Sequence, residues 1–162
     1  AGEIHAQPEL AATLKRIVAE GPEAFYKGEV AEDMVGRLRE KGGLHTLEDF
    51  AQHQGEYTTP IRTSYRGYDV FECPPNSQGL TVLLMLDILQ GFQLGGLDPL
   101  GPERLHLEIE AGRLAYRDRN ALIADPAHGR VPIEHLLSAS YADGIRRLIQ
   151  PDRAMARLPA PG

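Results

Sequence analysis

The chain has no tryptophan and one cysteine, Cys73, among its 162 residues. A lone thiol excludes an internal disulfide framework and leaves the redox compartment open. An excess of basic charge is also missing: 17 Lys and Arg stand against 23 Asp and Glu, a formal charge of -6. Nucleic-acid phosphates and anionic membrane surfaces both need a basic face, so neither is expected as a partner. No apolar run approaches the roughly 18 residues that a membrane helix requires. The longest, from Leu80 to Leu89, is interrupted by Thr81 and Asp87.

What is present is ordinary globular composition. Hydrophobic residues at 42% and charged residues at 25% are too apolar a mix for disorder, and the length suffices for a genuine core. The opening AGEIHAQPEL has no Met and no basic-then-apolar signal pattern. Both ends read as cuts in a longer polypeptide. Residues 1–162 are expected to form one helix-rich segment, with 151–162 as a linker-like tail.

Periodicity predicts mostly helices. Pro8 suits a first turn, and Leu10, Leu14, Ile17 and Val18 recur on one face until Gly21-Pro22. Val30, Met34 and Leu38 repeat over 29–40, and Gly42-Gly43 ends that helix. Thr46 and Asp49 resemble a capping box for a short helix reaching about His53. The register then changes to strand: Ile61, Thr63 and Tyr65 alternate, as do Tyr68 and Val70, around an Arg66-Gly67 turn.

Pro74-Pro75 ends the second strand, and Asn76 or Ser77 can cap a helix over 79–90 that is apolar on nearly every side. Pro102 opens the longest helix, in which Leu105, Ile109, Gly112 and Tyr116 line one side and Glu110 can pair with Arg113. Asp125-Pro126 closes it, and two shorter helices follow near 133–137 and 141–149. The fold class is therefore α+β, predominantly helical with one β-hairpin.

Candidate chemistry is sparse. The turn Asn76-Ser77-Gln78-Gly79 lacks the Gly two residues before Ser that a nucleophile elbow needs. It reads as a strand-to-helix turn, with an anion at the helix start as the functional alternative. His45, Asp49 and His53 have metal-ligand spacing, but Thr46 as N-cap puts His45 outside the helix. His106 and Glu110 read as a surface pair, and Glu108 diverges from Glu110 on a helix.

Arg117-Asp118-Arg119 reads as an exposed salt-bridged face rather than an anion patch. Cys73, without a nearby base, reads as a structural buried thiol. His5, His128 and His135 have no partner that stands out. No catalytic, substrate-binding or metal-binding residue is assigned, and no cofactor is expected.

Several segments in order carry a family resemblance: EGPEAFYKGEVAEDMV at 20–35, KGGLHTLEDF at 41–50 and PIRTSYRGYDVFECPPNSQG at 60–79. LLMLDILQGF at 83–92 and AGRLAYRDRNALIADP at 111–126 continue it. The chain resembles the second half of the large subunit of gamma-glutamyltranspeptidases, also called gamma-glutamyltransferases or glutathione hydrolases. That resemblance implies a segment of an N-terminal nucleophile hydrolase, with an αββα arrangement. It also implies a precursor that cuts itself and a Thr nucleophile at the start of the small subunit.

The implied partners are the remainder of the large subunit, the small catalytic subunit and a gamma-glutamyl small molecule. Family precedent leans periplasmic or extracellular. The family's catalytic motifs have no match here, so the chain alone is expected to be inactive, with an uncovered apolar face and a tendency to self-associate. The alternatives are a stand-alone binding or assembly module, or part of a related cephalosporin or glutaryl acylase.

Overall fold

The computed structural model describes residues 2–162, arranged as two compact units that meet in sequence between Glu56 and Tyr57. The first unit holds α1 (Pro8–Glu20), α2 (Glu23–Tyr26), α3 (Glu29–Glu40) and α4 (Leu47–Ala51). Pro8 stands in the first turn of α1, where a missing N–H costs no helical hydrogen bond. The capping box is formed: Thr46 Oγ1 accepts from the Asp49 amide at 3.2 Å, and Asp49 Oδ2 accepts from the Thr46 amide at 2.7 Å. The core of this unit is small, built on Ala24, Ala31 and Val35. No residue of α1 is buried, and its apolar stripe of Leu10, Leu14 and Val18 faces outward.

The second unit begins with a hairpin, β1 (Ile61–Tyr65) and β2 (Tyr68–Glu72), paired antiparallel from Ile61↔Glu72 to Tyr65↔Tyr68. Its two-residue turn takes Arg66 at φ 51° and Gly67 at φ 87°, the left-handed pair that a tight hairpin requires. The turn is tied to the helix that follows. The Arg66 amide donates to Gln90 Oε1 at 3.0 Å, and Arg66 Nη2 donates to the Phe92 carbonyl at 2.9 Å.

That helix, α5 (Gly79–Leu89), is the centre of the unit. It packs against the hairpin, α6 (Pro102–Leu122) and α8 (Ala139–Arg146), with α7 (Ile133–Leu136) beside α8. Leu80, Leu83, Leu84 and Ile88 are fully buried, which accounts for the apolar residues around most of its circumference. Its only large exposed apolar side chain is Val82. The core joins Leu84, Ile88 and Leu89 to Leu107, Ala111, Leu114 and Ala115 of α6 and to Ile145 and Ile149.

Helix α6 turns a different face inward from the one its periodicity predicts. Leu107, Ala111, Leu114 and Ala115 are buried, whereas Leu105, Ile109 and Tyr116 are 41%, 59% and 53% exposed. Small alanines let α5 and α6 approach closely, so the apolar row of larger side chains is left on the outside. No helix is long and apolar enough to cross a membrane among the described residues.

Candidate functional site

The second unit contains a polar centre that separate elements assemble. Asp118, on α6, is 1% exposed. Arg117 reaches back to it with two bonds, Nε to Oδ1 at 2.8 Å and Nη2 to Oδ2 at 2.9 Å. The Tyr141 hydroxyl, from α8, donates to Asp118 Oδ2 at 2.6 Å, while Arg117 Nη2 donates to that hydroxyl at 3.1 Å. Burial, helped by the hydrogen bond to Asp118 and by its charge, pushes the Tyr141 phenol up to about 12. Arg117 and the Gly162 backbone amide oppose that shift and do not outweigh it.

A second buried carboxylate lies two helical turns earlier. Glu110 is 1% exposed, accepts from Arg113 Nη1 at 2.6 Å and accepts from the Met155 amide at 3.0 Å. Burial pushes this carboxyl up, but the Met155 amide and Arg113 together hold it below its ordinary value. A third group, Asp87 on α5, is half-buried and accepts from the Thr63 hydroxyl, while its Oδ2 has no partner. Burial raises its pKa against the opposing effects of Thr63 and Arg146.

These positions correct three expectations. The Arg117-Asp118-Arg119 run is not an exposed face: Arg117 and Asp118 are buried as an ion pair, and Arg119 donates to Gln78 Oε1 at 2.7 Å. His106 and Glu110 are not a surface pair, because Glu110 points into the core and His106 Nε2 bonds the Gln150 carbonyl at 2.7 Å. Cys73 is exposed, not buried, because it follows the last residue of β2 as the chain leaves the sheet.

The turn after the double proline is occupied by the chain's own groups. The N-cap of α5 is Gln78, without a side-chain bond, and Ser77 acts one residue away. Its Oγ donates to the Cys73 carbonyl at 2.7 Å and accepts from the Gly79 amide at 3.3 Å. A Cβ on Gly79 would stand 2.5 Å from Glu72 Cβ and 2.8 Å from the Cys73 carbonyl oxygen. Glycine therefore lets the helix start against β2, with Glu72 Oε2 also within 2.9 Å of that Cβ position.

His45, Asp49 and His53 do come together, around a shallow cavity of about 220 Å³ shared with Tyr26 and Phe50. The Tyr26 and His53 rings lie 5.1 Å apart, and Asp49 Oδ2 is committed to Thr46. Among the described residues, no three His, Cys, Asp or Glu side chains are placed to hold a metal ion. Tyr141 and Arg146 were missed by sequence reasoning. No local pattern announces them, because their partners lie 23 and 58 residues away.

The deepest charges of this helix-rich body, Glu110 and Asp118, are thus each paired with an arginine of α6. The gamma-glutamyltranspeptidase family profile matches residues 1–161, and this chain belongs to that family. It is 40% identical over 141 residues to the glutathione hydrolase-like YwrD proenzyme of Bacillus subtilis, covering 87% of this chain and 27% of that protein. It is also 40% identical to the acylase ACY 1 proenzyme of Pseudomonas sp. strain SE83, over 91% of this chain and 27% of that one.

Among solved structures, Helicobacter pylori gamma-glutamyltranspeptidase superposes with a TM-score of 0.74 at 33% identity, covering 96% of this chain and 45% of that one. Cephalosporin acylase from Bacillus halodurans does so with a TM-score of 0.71 at 37% identity, covering 93% and 28%. The chain thus corresponds to part of an N-terminal nucleophile hydrolase fold and spans about a quarter of the curated relatives' length.

Proposed function

We propose that this chain is the helical scaffold of a gamma-glutamyltransferase-like enzyme, and that the reacting groups lie outside its 162 residues. The intact enzyme would hydrolyse or transfer the gamma-glutamyl group of glutathione and related amides. The observation that carries this reading is the commitment of the buried charges. Glu110 and Asp118 are both held by an arginine of α6 and by a further donor, so neither is free to exchange protons with a substrate.

The partners in this reading are the remainder of the large subunit and the small catalytic subunit. The exposed row Leu105, Ile109 and Tyr116 supports it, since a soluble chain seldom leaves such a row uncovered. The reading frame on either side of these 162 codons tests the proposal. A following segment that begins with Thr and shows strand patterning supports it; a stop codon after Gly162 favours a stand-alone module.

A related acylase is the second reading, because ACY 1 matches at the same 40% identity as the glutathione hydrolase-like protein. Assay of the complete enzyme on glutathione and on a glutaryl amide separates the two.

A further inference from the structure

The residues after α8 do not hang free, although their composition resembles a linker. Three contacts hold them, and the groups that make those contacts sit together. His106 Nε2 bonds the Gln150 carbonyl at 2.7 Å, and Glu110 Oε2 accepts from the Met155 amide at 3.0 Å. Further on, Pro159, Ala160 and Gly162 line one cavity of about 360 Å³ with Arg117 and Tyr141. Gly162 lies so close to Tyr141 that an added Cβ would stand 2.6 Å from its Cε2.

His106, Glu110, Arg113 and Arg117 follow one another on α6 at intervals of four, three and four residues, so they form a single stripe along the helix. Arg113 does not touch the tail. It holds Glu110 in place at 2.6 Å.

We propose that this polar stripe of α6 is a clamp that grips residues 150–162 chiefly by their main chain and fixes the point at which the chain reaches Gly162. The occupant is a named segment of the same chain. Two contacts are made to backbone atoms, so side chains along the strap are read at few positions. Met155 is one, since it packs on the core, and Gly162 is another. A polypeptide joined after Gly162 would start from a fixed place beside Tyr141. The clamp is a property of this chain and stands whichever acyl group an intact enzyme transfers.

Amide hydrogen exchange on the full chain, read by NMR, tests the clamp. The Met155 amide is expected to exchange at least about 100-fold slower than in an unstructured peptide. Glu110→Ala should abolish that protection while Leu114 and Ala115 in α6 keep theirs. Met155→Pro, which removes the gripped N–H, should raise tryptic cleavage after Arg153 and Arg157 by about tenfold or more, and Met155→Leu should not.

Three results would overturn the proposal. One is a Met155 amide that exchanges at the peptide rate in the native chain. Another is a protected tail in both Glu110→Ala and Met155→Pro. The third is loss of α6 protection together with the tail's in both variants, which would make Glu110 a core element and not a clamp.

Discussion

Arg146 closes the end of α5 from another helix: its Nε donates to the Ile88 carbonyl at 2.9 Å and its Nη2 to the Asp87 carbonyl at 2.8 Å. These two carbonyls belong to the last turn of α5, where intrahelical donors run out. Gly91 makes the approach possible, because a Cβ there would collide with the Arg146 side chain. Asp143 holds the same guanidinium from its own helix.

Arg146→Ala should therefore lower stability by about 2 kcal/mol, the usual loss for hydrogen bonds made by a charged group. Gly91→Ala should cost a similar amount by evicting the guanidinium. In urea denaturation the double variant is expected to lose little more than either single one, because both changes remove one interaction. Fully additive losses would show that the two residues act independently.

The Tyr141–Asp118–Arg117 centre predicts an ordered pair of losses. Tyr141→Phe removes one donor to Asp118 and should cost about 1–2 kcal/mol. Asp118→Ala leaves Arg117 buried without its partner and should cost about 3–5 kcal/mol. Chemical denaturation that ranked these two in the opposite order would contradict the assignment of Asp118 as the hub.

The same centre sets a dependence on alkaline pH. The folded chain prefers the neutral phenol of Tyr141, whose pKa is raised to about 12. Its contribution is complete below about pH 10, the ordinary value for tyrosine, and is lost as pH rises through about 12. Spectrophotometric titration should show one tyrosine ionising late, and Tyr141→Phe should remove that step.

Asp87 has a consequence of the same sign, carried by a carboxyl in place of a phenol. Burial raises its pKa, so the protonated form suits the fold, and stability is lost as pH rises through the folded value. Asp87→Asn should raise the melting temperature at pH 7 and change it little below the ordinary aspartate range. An unchanged melting temperature at both pH values would place Asp87 in water.

These centres were not legible in the sequence, although much of the frame was. Arg66-Gly67, the Thr46–Asp49 box and the Pro74-Pro75 strand end each act within a few residues, so their meaning is local. The inner face of α6 escaped notice for a physical reason. Its packing rests on Ala111 and Ala115, and Glu110 and Asp118 stand in the same buried strip. Hydrophobic periodicity instead picked out Leu105, Ile109 and Tyr116, which are exposed. Pairing across distant elements, as between Asp118 and Tyr141, leaves no trace in spacing.

That exposed row predicts association. The isolated chain should sediment as a concentration-dependent mixture, and Ile109→Glu should shift it toward monomer with little change in melting temperature. A native chain that stays monomeric at high concentration would remove the need for a covering partner.

The central claim, that this chain is scaffold and the chemistry lies outside it, is tested most directly by assaying the pure 162-residue chain on a gamma-glutamyl anilide. Anilide release no faster than in buffer is the predicted result. Saturable release that follows the folded chain through purification and disappears on its denaturation would contradict the claim.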